Sequence, residues 1–194
     1  APLVIIAMTS VGTENYIEFP PKGFTLKWFL NVFKSQSFMS SMGTSFTISA
    51  IATLIALVIG VPAAYGLSRG NFRGKSILKN FFLSPLIVPG IVVGFSLFQF
   101  LIVKLGISIY MSLFIGHTLV IVPYIIRVVG SSLEGVDYSI EEAAISLGCT
   151  KVETFFKVVM PNITSGIIAS FMLAFINSIN NVPVSMFLTG PGVS

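Results

Sequence analysis

Apolar residues in this chain come in long unbroken blocks separated by short polar stretches, a pattern with no two-residue alternation to suggest strands. Four blocks reach the length that a helix needs to cross a hydrocarbon layer of about 30 Å, which takes about 20 residues. The first covers 41–67 and contains Gly60 and Pro62. The second, 80–103, carries Pro85, Pro89 and the pair Gly90-x-x-x-Gly94. The third, 110–129, is interrupted only by His117, Pro123 and Arg127. The fourth, 165–188, turns polar in its second half, at Asn177, Ser178, Asn180 and Asn181 before Pro183. Each block is predicted to be one transmembrane helix. The run 1–11 is apolar but too short to cross, and is expected to be the outer half of a helix that begins upstream, so that the chain reads as a fragment.

The polar stretches assign the sides. Lys and Arg concentrate in cytoplasmic loops close to helix ends. The tight 69–79 loop holds Arg69, Arg73, Lys75 and Lys79, and is therefore placed inside. Counting spans puts the long 130–164 loop on the same side, with Lys151 and Lys157. The 12–38 segment and the Gly190-Pro191-Gly192 end fall outside, and a minimal turn joins the spans near 104–109. Composition agrees: 54% of residues are hydrophobic and 9% charged, at a mean hydropathy of +0.95. Soluble domains carry about a quarter charged residues, so the solvent of this chain is largely lipid. Its few scattered basic residues form no nucleic-acid patch, and the lone Cys149 can form no internal disulfide.

Candidate chemistry inside the spans is sparse. Gly90/Gly94 and Ala56/Gly60/Ala64 place small residues four apart, the spacing that lets helices approach closely, although Gly is common in transmembrane helices anyway. The prolines free backbone carbonyls that protein or a wet cavity must satisfy. His117 is either a buried hydrogen-bonding partner of a neighbouring helix or a functional group, and the first reading carries more weight. Arg127 and Lys104 sit where they can snorkel to the two interfaces. Asn177, Asn180 and Asn181 fall within about a turn and a half, so they serve either interhelical hydrogen bonds or the lining of a polar solute path. The stretch Gly70-Asn71-Phe72-Arg73-Gly74-Lys75-Ser76 approximates a phosphate loop but is one residue short and follows a membrane helix rather than a strand. It is read as positive-inside anchoring. No metal cluster, H-E-x-x-H or G-x-S-x-G motif occurs, so no catalytic residue, cofactor or metal is assigned.

The 130–164 loop has helix-forming, surface-like sequence of its own. Ser139-Ile140-Glu141-Glu142 and Thr150-Lys151-Val152-Glu153 both read as capping boxes, with the hydroxyl residue as N-cap and Glu at N3. Gly148 stands where the first helix needs a left-handed residue. Val152, Phe155, Phe156 and Val159 are predicted to form one apolar face of a second helix, which Pro161 stops. Two short helices joined at a glycine make either a self-contained loop or a docking element, and residues alone leave both open.

The residues Glu142-Ala143-Ala144-x-x-x-Gly148, followed after nine residues by Val158-x-Met160-Pro161, resemble the EAA motif of permease subunits of binding-protein-dependent ABC importers. Met160 replaces the usual Leu. The resemblance implies an all-α, polytopic membrane helical bundle of the type I ABC importer permease kind. It also implies one permease domain over 1–194, with 130–164 as its cytoplasmic coupling loop. Glu142, Ala143, Ala144, Gly148 and Pro161 would contact a separate ATPase subunit, so the chain would be a transport subunit and not an enzyme. The implied partners are cytoplasmic ATPases, a second permease subunit, an extracytoplasmic solute-binding protein and the bilayer, in a bacterial inner membrane. Phe19-Pro20-Pro21-Lys22-Gly23-Phe24-Thr25-Leu26-Lys27-Trp28-Phe29 and Phe187-Leu188-Thr189-Gly190-Pro191 are similar to the spermidine/putrescine-type group. That group has six spans, which implies that part of the first span and the last span are missing. Its members often carry Asp in the fifth span, where this chain has Asn180-Asn181, and an amide gives a polyammonium solute no counter-charge. A small polar solute, a polyamine among the candidates, is the expected cargo, with Asn177, Asn180 and Asn181 as candidate path residues. The alternative is a polytopic channel or ion-coupled carrier that uses no ATP.

Overall fold

The computed structural model describes residues 2–14, 16 and 19–189, which leaves the Gly190-Pro191-Gly192 end outside the described residues. Two compact units are present, one formed by Ala1–Ser45 and the other by Phe46–Val193.

In the first unit, α1 (Pro2–Thr9) matches the short apolar run. The expected polar segment after it contains a helix that the apolar-block reading missed, α2 (Lys27–Lys34). Its polar Lys27, Asn31 and Lys34 recur at spacings of four and three, leaving Trp28, Phe29, Leu30, Val32 and Phe33 on the remaining face. The Trp28 indole donates to the Gly12 carbonyl at 2.9 Å. Thr25 N–H donates to Val11 at 2.7 Å, which ties the two ends of the connection together.

A 34-residue helix, α3 (Gln36–Arg69), begins earlier than the apolar block and runs through Pro62 without a break. At 1.5 Å per residue it is about 50 Å long, which exceeds the hydrocarbon thickness. Together with the 26-residue α6 (Ile109–Glu134) it is long and apolar enough to cross a membrane. Within the second unit these two pack along a small-residue seam. Ala52, Ala56 and Ala64 are buried, and a Cβ on Gly60 would stand 2.8 Å from Ile125 Cγ2. The small residues therefore set the helix approach, as their spacing predicted.

The other two predicted spans are not single straight helices. Residues 80–103 lie in a pair comprising Lys75–Leu86 and Gly90–Lys104, bent by 98°. The first limb holds α4 (Lys75–Leu83) and a 3₁₀ turn, Ser84–Leu86; the second holds α5 (Gly90–Leu97) and a π-helical stretch, Phe98–Lys104. Pro89 is extended at ψ 133° and has no N–H to give, and its ring disfavours helix at Val88, so the winding stops there. The predicted 165–188 span is likewise divided, into α10 (Thr164–Ile179) and α11 (Val182–Thr189). The Asn181 side chain accepts from Val184 N–H at 3.3 Å and so acts as N-cap of α11, with Pro183 in its first turn.

Between α6 and α10 the chain forms α7 (Ser139–Ser146), α8 (Lys151–Thr154), a π turn at Phe155–Val159, and α9 (Met160–Asn162). The limb Lys151–Asn162 meets Thr164–Ile179 at 75°, and its Lys151, Glu153 and Lys157 mark it as the part outside the spanning segments. The core of the second unit centres on Ile121, Ile125, Val129 and Leu133 of α6, joined by Val159 and Ile163 from below α10.

Candidate functional site

The first helix of the 130–164 loop is capped differently from the expectation. Ser139 is its first helical residue, since Tyr138 before it is already helical, and no side chain of a Ser139 box engages. Asp137 takes the role instead: its Oδ1 accepts from Ser139 N–H at 2.9 Å. A carboxylate two residues upstream outcompetes the hydroxyl, and that hydrogen bond holds the Asp137 carboxyl below its ordinary range. At the other end the glycine behaves as predicted. Gly148 has φ +96°, with Gly148 N–H on Ile145 O at 2.9 Å and Cys149 N–H on Ala144 O at 3.1 Å. These two bonds constitute a Schellman ending.

The second predicted box is present. Thr150 Oγ1 accepts from Glu153 N–H at 3.2 Å, and Glu153 Oε2 accepts from Thr150 N–H at 2.9 Å. The Thr150 N–H and then Lys157 bring the Glu153 carboxyl down to about 2. The predicted apolar face divides: Val159 is buried and Phe155 half-buried, whereas Val152 and Phe156 stay exposed. They flank a groove of about 310 Å³ that Pro62, Tyr65 and Lys151 also line. The π turn inserts a residue into the winding and shifts the seam, so the buried column becomes Thr154 and Val159. The helix ends one residue past Pro161, at Asn162.

Glu142, Ala143, Ala144 and Gly148 thus lie on one short helix and its turn, all but Ala144 exposed, while Pro161 sits at the far end of the second winding. Leu147, at the turn, is 87% exposed. This protruding apolar tip was not singled out from the sequence, because a leucine beside a glycine carries no local signal of its exposure.

A second missed feature is Glu141, the neighbour of the motif glutamate. It is 1% exposed. Its Oε1 accepts from Arg69 Nε at 2.7 Å and its Oε2 from Tyr65 Oη at 2.8 Å. Arg69 Nη2 also donates to the Val136 carbonyl at 2.8 Å, and the guanidinium lies 5.3 Å from the centre of the Tyr138 ring. Arg69 is therefore more than a positive-inside anchor: it joins the end of α3 to the loop at three points. Beside it, the Tyr65 ring packs 4.9 Å from that of Phe155.

Within the spans, His117 is buried and bridges the broken helix: Nδ1 is 2.9 Å from Ser178 Oγ on α10 and Nε2 is 3.1 Å from Ser185 Oγ on α11. The structural reading of this histidine holds. Of the three asparagines, Asn177 donates to the Leu173 carbonyl at 2.8 Å, Asn181 caps α11, and Asn180 is exposed at the break. On the partner face of α11, a Cβ on Gly94 would stand 2.8 Å from Pro183 O, so the Gly90/Gly94 pair is where α5 and α11 meet.

Residues 56–194 match the family of binding-protein-dependent transport system inner membrane components. Over its whole length the chain is 31% identical to the putrescine transport system permease protein PotI of Escherichia coli, covering 71% of that protein. It is 30% identical to the spermidine/putrescine transport system permease protein PotC of Haemophilus influenzae, over 97% of this chain and 73% of that one. Among solved structures, the fold resembles a chain of the MetNI methionine ABC transporter, with a TM-score of 0.63 at 22% identity, covering 75% of this chain and 73% of that one. A bacterial ABC transporter that imports the acidic polysaccharide alginate gives 0.69 at 20% identity, covering 91% of this chain and 64% of that one.

Proposed function

This chain belongs to the binding-protein-dependent transport system inner membrane components, and from that premise we propose that its solute is a small polyamine such as putrescine or spermidine. Membership makes it the membrane permease subunit of an ABC importer, a transport component whose ATP is hydrolysed in a separate subunit. The observation that carries the polyamine reading is the similarity to the putrescine and spermidine/putrescine permeases over 97% or more of the chain.

The broken fourth block bears on how that cargo would be held, since it offers amides and no carboxylate. All seven carboxylates of the chain lie outside the predicted spans. A cation crossing here is met by the Asn177, Asn180 and Asn181 amides and by the C-terminal end of α10. Helix C-termini carry partial negative charge, and discontinuous membrane helices use such ends to hold cations. Any full counter-charge then comes from the second permease subunit or from the binding protein.

Residues 1–194 form one permease domain in this reading, with 130–164 as its cytoplasmic coupling loop. Glu142, Ala143, Ala144, Gly148 and the exposed Leu147 dock on the ATPase, and Pro161 sets the end of the second loop helix. The low side-chain profile of α7 suits insertion into a partner's cleft. A second permease subunit, or a copy of this one, completes the pathway in a bacterial inner membrane, and an external binding protein delivers the solute.

The test is reconstitution of the full-length protein with its ATPase, permease partner and binding protein in lipid vesicles. Uptake of labelled putrescine or spermidine that requires ATP is expected. ATP-driven uptake of another solute with none of polyamine would overturn the cargo. Polyamine uptake without ATP would point to the carrier or channel.

A further inference from the structure

The 130–164 loop has two covalent ties to the membrane helices, through α6 and through the 75° bend into α10. The Arg69–Glu141 pair is a third tie, non-covalent, and it reaches α3, which the chain does not connect directly to the loop. Tyr65 and Arg69 are four residues apart, so they share one face of α3. Both end on the same carboxylate, one on each oxygen. The second donor of Arg69 takes the Val136 carbonyl, and the guanidinium plane faces Tyr138. Four loop positions, 136, 138, 141 and, through Phe155 against Tyr65, 155, are thereby fixed to one turn of α3. Glu141 is too buried for water to replace its partners, so α7 cannot shift without dragging α3 or leaving a desolvated carboxylate behind. Higher up α3, Gly60 lies against Ile125 of α6, and the buried Ala52, Ala56 and Ala64 share the core with that helix.

We infer that Tyr65, Arg69 and Glu141 are positioning residues that carry displacement of α7 into α3, so that the membrane bundle and the ATPase sense one another through this latch. The inference rests on the proposed docking of α7 on the ATPase. A planar guanidinium is required because one side chain must serve two acceptors and stack on a ring, which a lysine ammonium does not reproduce.

The experiment uses the assembled transporter of full-length subunits in vesicles, with the binding protein saturated with putrescine as the probe. Two quantities are read for wild type, Glu141→Gln, Arg69→Gln, Arg69→Lys and the exchanged pair Arg69→Glu/Glu141→Arg: the amount of ATPase retained on the permease, and the ratio of ATP hydrolysis with and without the binding protein. The latch predicts normal ATPase retention in the Gln and Lys variants and a stimulation ratio at least about fivefold lower. The exchanged pair sets a carboxylate against the Val136 carbonyl and off the Tyr138 ring, so its ratio is expected to stay low as well; a wild-type ratio there would overturn the latch. Retention falling while the ratio of the residual complex stays at the wild-type value would mean that the pair only folds the loop, and would overturn the inference. If the Gln variants do not assemble, Arg69→Lys decides by the same ratio, lowered in support or unchanged against. Gly148→Asp run alongside separates the two levels: a normal complex there sinks the docking reading itself, whereas uncoupling there with unchanged latch ratios sinks only the latch.

Discussion

Replacing Gly148 by Asn and by Asp separates two effects that a single substitution confounds. The glycine sits at φ +96°, where an L-residue pays roughly 1–2 kcal/mol, with Asn and Asp the side chains that visit the left-handed region most readily. No atom lies within 4 Å of where its Cβ would stand, so neither variant meets a steric obstacle in the chain itself. The conformational penalty is thus nearly the same for both and amounts to about 1 kcal/mol, around fivefold in an equilibrium. They differ in charge. If the turn is covered by the ATPase, Asp places an unpaired carboxylate in the contact, and such a group costs about 3–5 kcal/mol when buried without a partner. Binding-protein-stimulated ATP hydrolysis and uptake, normalised to inserted protein, are therefore expected to fall less than about tenfold for Gly148→Asn and at least a hundredfold for Gly148→Asp. Gly148→Ala, which is uncharged but less tolerant of positive φ, should fall between them. Equal activity of the Asn and Asp variants would refute the covered turn and leave only a backbone requirement.

Three further outcomes follow from the packing and the caps. Gly94→Ala forces a methyl against the Pro183 carbonyl of α11, whereas Gly130→Ala adds one in open space within α6. The first should cost about 1–3 kcal/mol and lower the melting temperature of the detergent-solubilised protein by several degrees, while the second should not lower it. His117→Ala strands the Ser178 and Ser185 hydroxyls across the helix break, and a loss of about 1–3 kcal/mol is expected in the same melting assay; an unchanged midpoint would count against the bridge. The Glu153 carboxyl is depressed to about 2, so its contribution to the second loop helix is complete above the ordinary value of 4.5 and disappears as pH falls towards 2. A carbon-13 carboxyl titration should show that low midpoint, and Thr150→Ala should move it upward; a midpoint near 4.5 in the unmodified protein would dismiss the capping box.

What was legible in the sequence was local. Apolar block length placed the chain in lipid, because the bilayer thickness sets a helix length independent of what packs beside it. Gly148 and the Thr150–Glu153 box were readable because every partner lies within five residues. Even local signals failed where two of them competed. Ser139 lost the cap to Asp137, and the 80–103 and 165–188 blocks kept an apolar count that hid the breaks at Pro89 and Asn180-Asn181. Glu141 could not be told from Glu142 by composition. Its partners Arg69 and Tyr65 are 72 and 76 residues away, and only the packing of α3 against the loop turns one glutamate inward and leaves the next exposed. The sequence by itself determined the solvent, the number of apolar blocks and the shape of the loop, since those depend on neighbours along the chain. Tertiary structure decided that the winding stops at Pro89 and not at Pro62 or Pro123, which glycines become contacts, and which charge is buried, since a desolvated group is defined by what surrounds it in space.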